Sequence, residues 1–381
     1  NKYISIIALL SFTFGFFSCS DYKRAEDTIN AEEMTRIVKE FASDEFQGRK
    51  PFTAGEEKAV DFLIKEYKRI GLEPANNGSY IQEVPMVEVT DIPDERMKIR
   101  LWNASIELKY KDDFVAFSKQ LVEEISIRNS SMIFAGYGIV APEYNWNDYD
   151  GINVKDKIVV VLVNDPGFGT DNKDFFKGNE MTYYGRWTYK YEEAARQGAK
   201  GVLIIHETEP AGYPWSVVLN GAIQPKLYLQ PDDNYLSMCA MEGWLTKNAA
   251  SELFSLAGFN LTELIEKAKE PGFKAIDLRS RLNLNIKTSH KEAISKNVIG
   301  ILPGSERPDE VIIYSSHWDH LGIGPVVNGD SIYNGAVDNG TTTAWMLEIA
   351  EAFANLKKRP ARTIMIFSPT AEEQGLLGSK Y

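Results

Sequence analysis

A chain of 381 residues with 44% hydrophobic content is long enough for two or three domains with sizeable cores. Its formal charge of -12 leaves no basic surface to attract a phosphate backbone, and no Lys/Arg cluster is interleaved with aromatics, so nucleic acid is excluded as an expected partner. Only two cysteines are present, which excludes a disulfide framework.

At the N-terminus, Lys2 precedes an uncharged stretch from Tyr3 to Phe17 that ends in Ser18. The stretch is shorter than the roughly 20 residues a bilayer-spanning helix needs, so it reads as an export signal over residues 1–18. "FFSCSD" resembles a bacterial lipobox, which implies cleavage before Cys19 and a lipid on Cys19. The protein is then expected to be exported and held on a membrane of the cell envelope, with residues 19–30 as a linker. Once Cys19 is acylated, Cys239 in "LSMCAME" has no partner and reads as a buried structural thiol.

Helical spacing follows in "TINAEEMTRIVKEFASDEFQGR" and "GEEKAVDFLIKEYKRIGLEP", where Ala59, Phe62, Leu63 and Tyr67 recur at three and four residues and Gly71 closes the second helix. From about Met86 to Phe117 short alternating runs such as "MKIRLW" and "ASIELKY" predict strands. Between about 118 and 290, "SMIFAGYGIV", "KIVVVLVND" and "GVLIIHE" are strand-like, and "YKYEEAARQGAK" predicts a helix closed by Gly198. This module, α/β or β-rich, resembles the protease-associated domain, on the strength of "FAGYGI", "NWNDYDGINVKDKIVVVLV" and "EEAARQGAKGVLII". Gly136 and Gly138 lack a following helix N-terminus and read as tight turns rather than a nucleotide loop. His206 reads as a strand-end residue and His290 as a solvated linker residue, neither in a site.

Chemistry is expected after "NVIGILPGS". In "EVIIYSSHWDHLGIG" the run Val311 to Tyr314 has the continuous apolar character of a strand buried in a parallel sheet, and His317 falls just past its carboxyl end, where open α/β sheets bind ligands. Asp319 is a candidate for fixing the tautomer and direction of His317, and His320 is a weaker competitor as a ligand. In "YNGAVDNGTTTAWMLEIAEAF" a helix is predicted from about Thr341 with an apolar stripe through Trp345, Ile349 and Phe353, flanked by Met346 and Ala350. Asp338 precedes it, and helix capping alone accounts for such an acid; Gly335 and Gly340 permit an unusual backbone that capping does not require. "RTIMIFSPTAEEQG" predicts a buried strand over about 363–367 and a turn that delivers Glu372 and Glu373 to the edge where His317 lies. An acidic pair more often marks a solvated helix start, but three clusters of acids or imidazole at the ends of core elements weigh against that reading.

"SSHWDHLG", "NGAVDNGTTTA" and "SPTAEEQGLLGS", in this order and spacing, resemble the co-catalytic zinc aminopeptidases of peptidase family 28, with a protease-associated domain inserted. The resemblance implies an α/β zinc-exopeptidase fold, a mixed and largely parallel sheet between helices. It divides the chain into residues 31–117 as the first part of the peptidase, 118–290 as the insert and 291–381 as the beginning of the zinc core. By position it implies two zinc ions, with His317 on one, Glu373 on the other and Asp338 bridging them; Glu372 would be the general base and Asp319 would orient His317. The expected reaction is hydrolysis of the first peptide bond of a peptide with a free N-terminus. The family also has one Asp and one His ligand downstream of the acidic pair, where only "QGLLGSKY" follows here. The expectation is therefore a C-terminally truncated chain that by itself binds zinc weakly and lacks activity. A single-zinc cyclase of N-terminal glutamine and a receptor-like binding protein on the same fold remain as alternatives.

Overall fold

The computed structural model describes residues 23–381. Cys19 and the expected signal segment lie outside the described residues, and among the described residues no helix is long and apolar enough to cross a membrane. In chain order the principal elements are helices α1 (Ala31–Phe41) and α2 (Ala54–Ile70), then strands β1 (Ile81–Pro93), β2 (Arg96–Arg100), β3 (Ser105–Lys109), β4 (Phe114–Phe117), β5 (Glu124–Phe134) and β6 (Ile158–Leu162). Helix α3 (Trp187–Arg196) precedes β7 (Gly201–His206) and β8 (Met241–Thr246), followed by α4 (Lys247–Leu256) and α5 (Leu261–Ala268). The long strand β9 (Ile276–Leu302), β10 (Arg307–Ser315), α6 (Thr342–Ala354) and β11 (Arg362–Ser368) complete the set. The architecture is mixed α/β, as expected, with both parallel and antiparallel pairings.

The chain divides into two compact units. The second comprises residues 88–226 and 230–291. In it β5, β6, β7 and β8 pair in parallel, β4 runs antiparallel to β8, and the first half of β9 runs antiparallel to β5 and β2. Strand periodicity splits each apolar run between two cores. Ile158, Val160 and Leu162 face a core closed by Leu253 and Phe254 of α4 and Leu264 of α5, while Val159 and Val161 face one closed by Tyr191 and Ala194 of α3. The expected insert began at residue 118; the structural division falls at 88, because β2 pairs with β3 and with β9 and β4 pairs with β8, so these strands have their partners in the second unit. Cys239 is buried there with its thiol on the Ala199 carbonyl, 3.4 Å away, and burial holds the thiol protonated by raising its pKa. His206 ends β7, its Nε2 is 3.0 Å from the Tyr213 carbonyl, and burial lowers its pKa. His290 is not in a linker: it is an exposed residue within β9.

The first unit holds residues 23–87, 227–229 and 292–381. Asn30 caps α1 by accepting the Glu33 N–H, Thr53 caps α2 by accepting the Gly55 N–H, and Gly71 ends α2 with φ of 87° in the left-handed region. Ile37 and Phe41 of α1, with Ala59, Phe62, Leu63 and Tyr67 of α2, pack on Val298 of β9, Ile364 and Ile366 of β11, and Met346, Leu347 and Ala350 of α6. Helix α6 therefore turns a different face inward than the expected stripe: Trp345 is half exposed, and Thr343, Met346, Leu347 and Ala350 are buried. Both faces of the helix are rich in apolar residues, so spacing alone did not select one. Strand β10 is parallel to β11, as expected, but it is not buried: Val311, Ile312 and Ile313 are 45%, 43% and 57% exposed. Its only strand partner among the described residues is β11, and consecutive residues of a strand point to opposite faces, so both faces of β10 are uncovered there.

Candidate functional site

The site lies in the first unit, at the carboxyl ends of β10 and β11. The parallel register pairs Ser315 with Phe367, and the two segments stay joined beyond the strands through Ser316 N–H to the Phe367 carbonyl and Trp318 N–H to the Pro369 carbonyl. Trp318 is wholly buried, with its indole N–H on the Lys296 carbonyl. In an extended segment its neighbours His317 and Asp319 leave on the opposite side, and both are themselves buried. Asp338 arrives from a different direction. Gly335 turns the chain with φ of 62°, residues Ala336–Thr341 form a wide π-type turn, and Gly340 N–H closes it on the Gly335 carbonyl at 3.1 Å. Asp338 does not cap α6; it sits within that turn with a side chain 64% exposed.

His317 is the hub. Its Nε2 is 3.2 Å from Asp338 Oδ1 and 3.6 Å from Glu372 Oε2. Its Nδ1 is 3.1 Å from the backbone carbonyl of Asp319 and 3.7 Å from that residue's carboxylate, so the carbonyl makes the closer contact. With Nδ1 facing that carbonyl, Nε2 is directed at the two acids. The Asp319 carboxylate does something the sequence did not suggest: Oδ1 accepts the Glu372 N–H at 2.9 Å and Oδ2 the Glu373 N–H at 3.3 Å. Burial pushes the Asp319 carboxyl above the usual carboxylate range, opposed by the Glu372 N–H and by His317. Asp319 thus ties the segment after β10 to the turn after β11.

The glutamates diverge, as adjacent side chains should. Glu372 reaches toward His317, while Glu373 Oε1 is 2.6 Å from His320 Nδ1. His320, the competitor as a ligand, therefore has one ring nitrogen engaged by Glu373. Further residues support the turn without having been singled out: Asn297 Oδ1 accepts the Thr370 N–H, and Ser295 Oγ joins Thr370 Oγ1 to the buried carboxylate of Glu56. Arg49, at the end of "FQGR", is buried beside the site, and burial lowers its pKa to about 10. A single arginine after a glycine carries no sequence signal of such a role.

An imidazole and carboxylates are donors that zinc accepts, and donors on one tetrahedral zinc with arms of about 2.0–2.1 Å lie ~3.3 Å apart. Of the expected ligands, His317 and Asp338 have that spacing, while Glu373 Oε1 lies on His320 Nδ1, so the donor chemistry and the His317–Asp338 pair fit zinc. Among the described residues no group of three or more His, Cys, Asp or Glu side chains closes around a single metal position.

Residues 297–381 match the profile of Peptidase family M28. The chain is 34% identical over 116 residues to Aminopeptidase NAALADL1 of Mus musculus, a match covering 29% of this chain and 14% of that protein. It is 35% identical over 102 residues to a probable zinc metalloprotease of Pyricularia oryzae, covering 27% and 18%. It is 38% identical over 101 residues to probable glutamate carboxypeptidase LAMP1 of Arabidopsis thaliana, covering 25% and 13%. The matches thus span less than a fifth of the length of these relatives. Among solved structures, an aminopeptidase from Aneurinibacillus sp. strain AM-1 aligns with a TM-score of 0.47 at 19% identity, covering 94% of this chain and 67% of that one.

Proposed function

We propose that this chain carries active-site residues of a zinc-dependent exopeptidase that releases N-terminal residues from peptides. The observation that carries the reading is the convergence of Asp338 and Glu372 on His317 Nε2 while Nδ1 is fixed from behind. The match of residues 297–381 to a peptidase family, and relatives named as aminopeptidases and zinc metalloproteases, support the peptidase and zinc parts of it.

His317, Asp338 and Glu373 would hold zinc. When bound, zinc supplies Lewis acidity to the scissile carbonyl and makes water a better nucleophile at neutral pH. Glu372, whose side chain is 35% exposed, is open to solvent and would take a proton from the attacking water and give it to the leaving nitrogen. Such a transfer is worth on the order of 10²–10⁴-fold in rate. Asp319 holds the backbone of both glutamates, and so sets where that proton acceptor stands. The test uses the full-length gene product: zinc content by emission spectroscopy, with hydrolysis of aminoacyl-nitroanilides before and after chelation. Zinc-dependent release from free but not N-acetylated substrates is expected; activity indifferent to chelator, or equal on blocked substrates, would overturn the reading.

The second unit is proposed to be a protease-associated domain, on the motifs quoted above. Export with a lipid on Cys19 is the matching proposal for the N-terminus. Cells fed a labelled fatty acid should label the wild-type protein and not the Cys19→Ala variant; label retained in that variant would refute it.

A further inference from the structure

Arg49 is a completely buried cation whose hydrogen bonds, among the described residues, go to backbone carbonyls and to no carboxylate. Its Nε donates to the Trp318 carbonyl at 2.8 Å, Nη1 to the carbonyls of Phe41 at 2.7 Å and Asn334 at 2.6 Å, and Nη2 to the Gly335 carbonyl at 2.9 Å. Its own carbonyl accepts the His320 N–H at 3.3 Å, and its guanidinium lies 4.4 Å over the Phe41 ring. One side chain therefore grips the segment that carries His317 and the turn that leads to Asp338. Only a planar fork with this many donors can do so; an ammonium has three donors and no fixed plane.

The surrounding backbone is built around that grip. Gln47, Gly48 and Arg49 have φ of 50°, 66° and 48°, a conformation that side chains rarely adopt. A Cβ on Gly48 would lie 2.5 Å from the Tyr333 carbonyl, and one on Gly335 would lie 2.5 Å from Arg49 Nη2 and 2.7 Å from the His320 ring. Burying a charge with only dipoles for partners is costly. The acids nearest in charge are Asp319, Asp338 and Glu373, all members of the candidate site, and each favours the charged guanidinium.

We propose that Arg49 is the positioning residue of the metal centre: its guanidinium sets the separation of the His317 segment from the Asp338 turn and supplies positive charge behind the site's carboxylates. It touches neither substrate nor metal, and the inference rests on the exopeptidase reading above. Cobalt substitution reads ligand geometry directly, independently of turnover. In the full-length gene product, Arg49→Lys and Arg49→Met are expected to weaken zinc binding about 10–100-fold, the range for residues that orient ligands, and to change the visible cobalt spectrum. kcat should fall more than KM changes. Leu63→Ala, a cavity in the same core on helix α2, should lower the melting temperature and leave the cobalt spectrum as in wild type. Should both Arg49 variants fail to fold, Gly335→Ala presses on the same guanidinium, as well as on the Asp338 carbonyl, and should alter the spectrum alike. Wild-type cobalt spectra and affinity in folded Arg49 variants, or in Gly335→Ala when the former do not fold, would overturn the inference alone. Wild-type protein that takes up neither zinc nor cobalt would overturn the exopeptidase reading with it.

Discussion

Glu372→Gln in the full-length gene product is expected to lower kcat/KM by about 10²–10⁴-fold while zinc content stays near wild type. The amide keeps the shape of the side chain and removes its ability to accept a proton. Glu373→Gln should lose metal as well as activity, because the charge lost there is that of a proposed ligand. The two positions are adjacent in sequence, yet their surroundings differ: Glu372 stands 3.6 Å from His317 Nε2, and Glu373 is held at 2.6 Å by His320 Nδ1. Metal analysis beside steady-state kinetics separates the roles. Equal metal loss in both variants would mean that the base and the ligand are assigned wrongly, and loss in Glu372→Gln alone would exchange them.

Asp319→Ala is expected to be the most destabilising change near the site, by about 2–4 kcal/mol. It leaves the part-buried Glu372 and Glu373 N–H groups without their acceptor, at about 1–2 kcal/mol for each, the lower part of the range for fully buried groups. The buried side chain also leaves a void. Asp319→Asn should fall between, since one oxygen remains for one N–H while its amide group meets the other. Urea unfolding of the metal-free protein measures this as a lower midpoint at unchanged slope. A variant within 0.5 kcal/mol of wild type, roughly the ordinary range for surface changes, would show that the acidic turn does not depend on the Asp319 carboxylate.

Much of the local structure was legible. The three-and-four spacing of Ala59, Phe62, Leu63 and Tyr67 and the closing Gly71 became α2, and "RTIMIFS" became the strand that delivers the glutamates. The distinct pieces bearing His317, Asp338 and the acidic pair are close in space, as their positions after core strands or before a helix implied. These features are short-range: helix period, strand period and a glycine's tolerance of positive φ depend on residues a few places apart.

Contacts between distant segments were not legible. Sequence pointed to Asp319 as the residue that orients His317 but not to the atoms: its backbone carbonyl stands closer to the ring, and its carboxylate ties down two N–H groups 53 and 54 residues away. It pointed to the Trp345 stripe of α6 and to burial of Val311–Ile313; which face packs, and what covers a strand, depend on neighbours that spacing does not name. Arg49 is the clearest case, since a guanidinium that joins residues 269 and 286 positions away leaves no periodicity to read. What the sequence determined by itself was the kinds of element and the chemical types gathered after them. Only the tertiary structure decided which atoms meet, because hydrogen-bond partners are chosen by direction and distance in the folded chain rather than by separation along it.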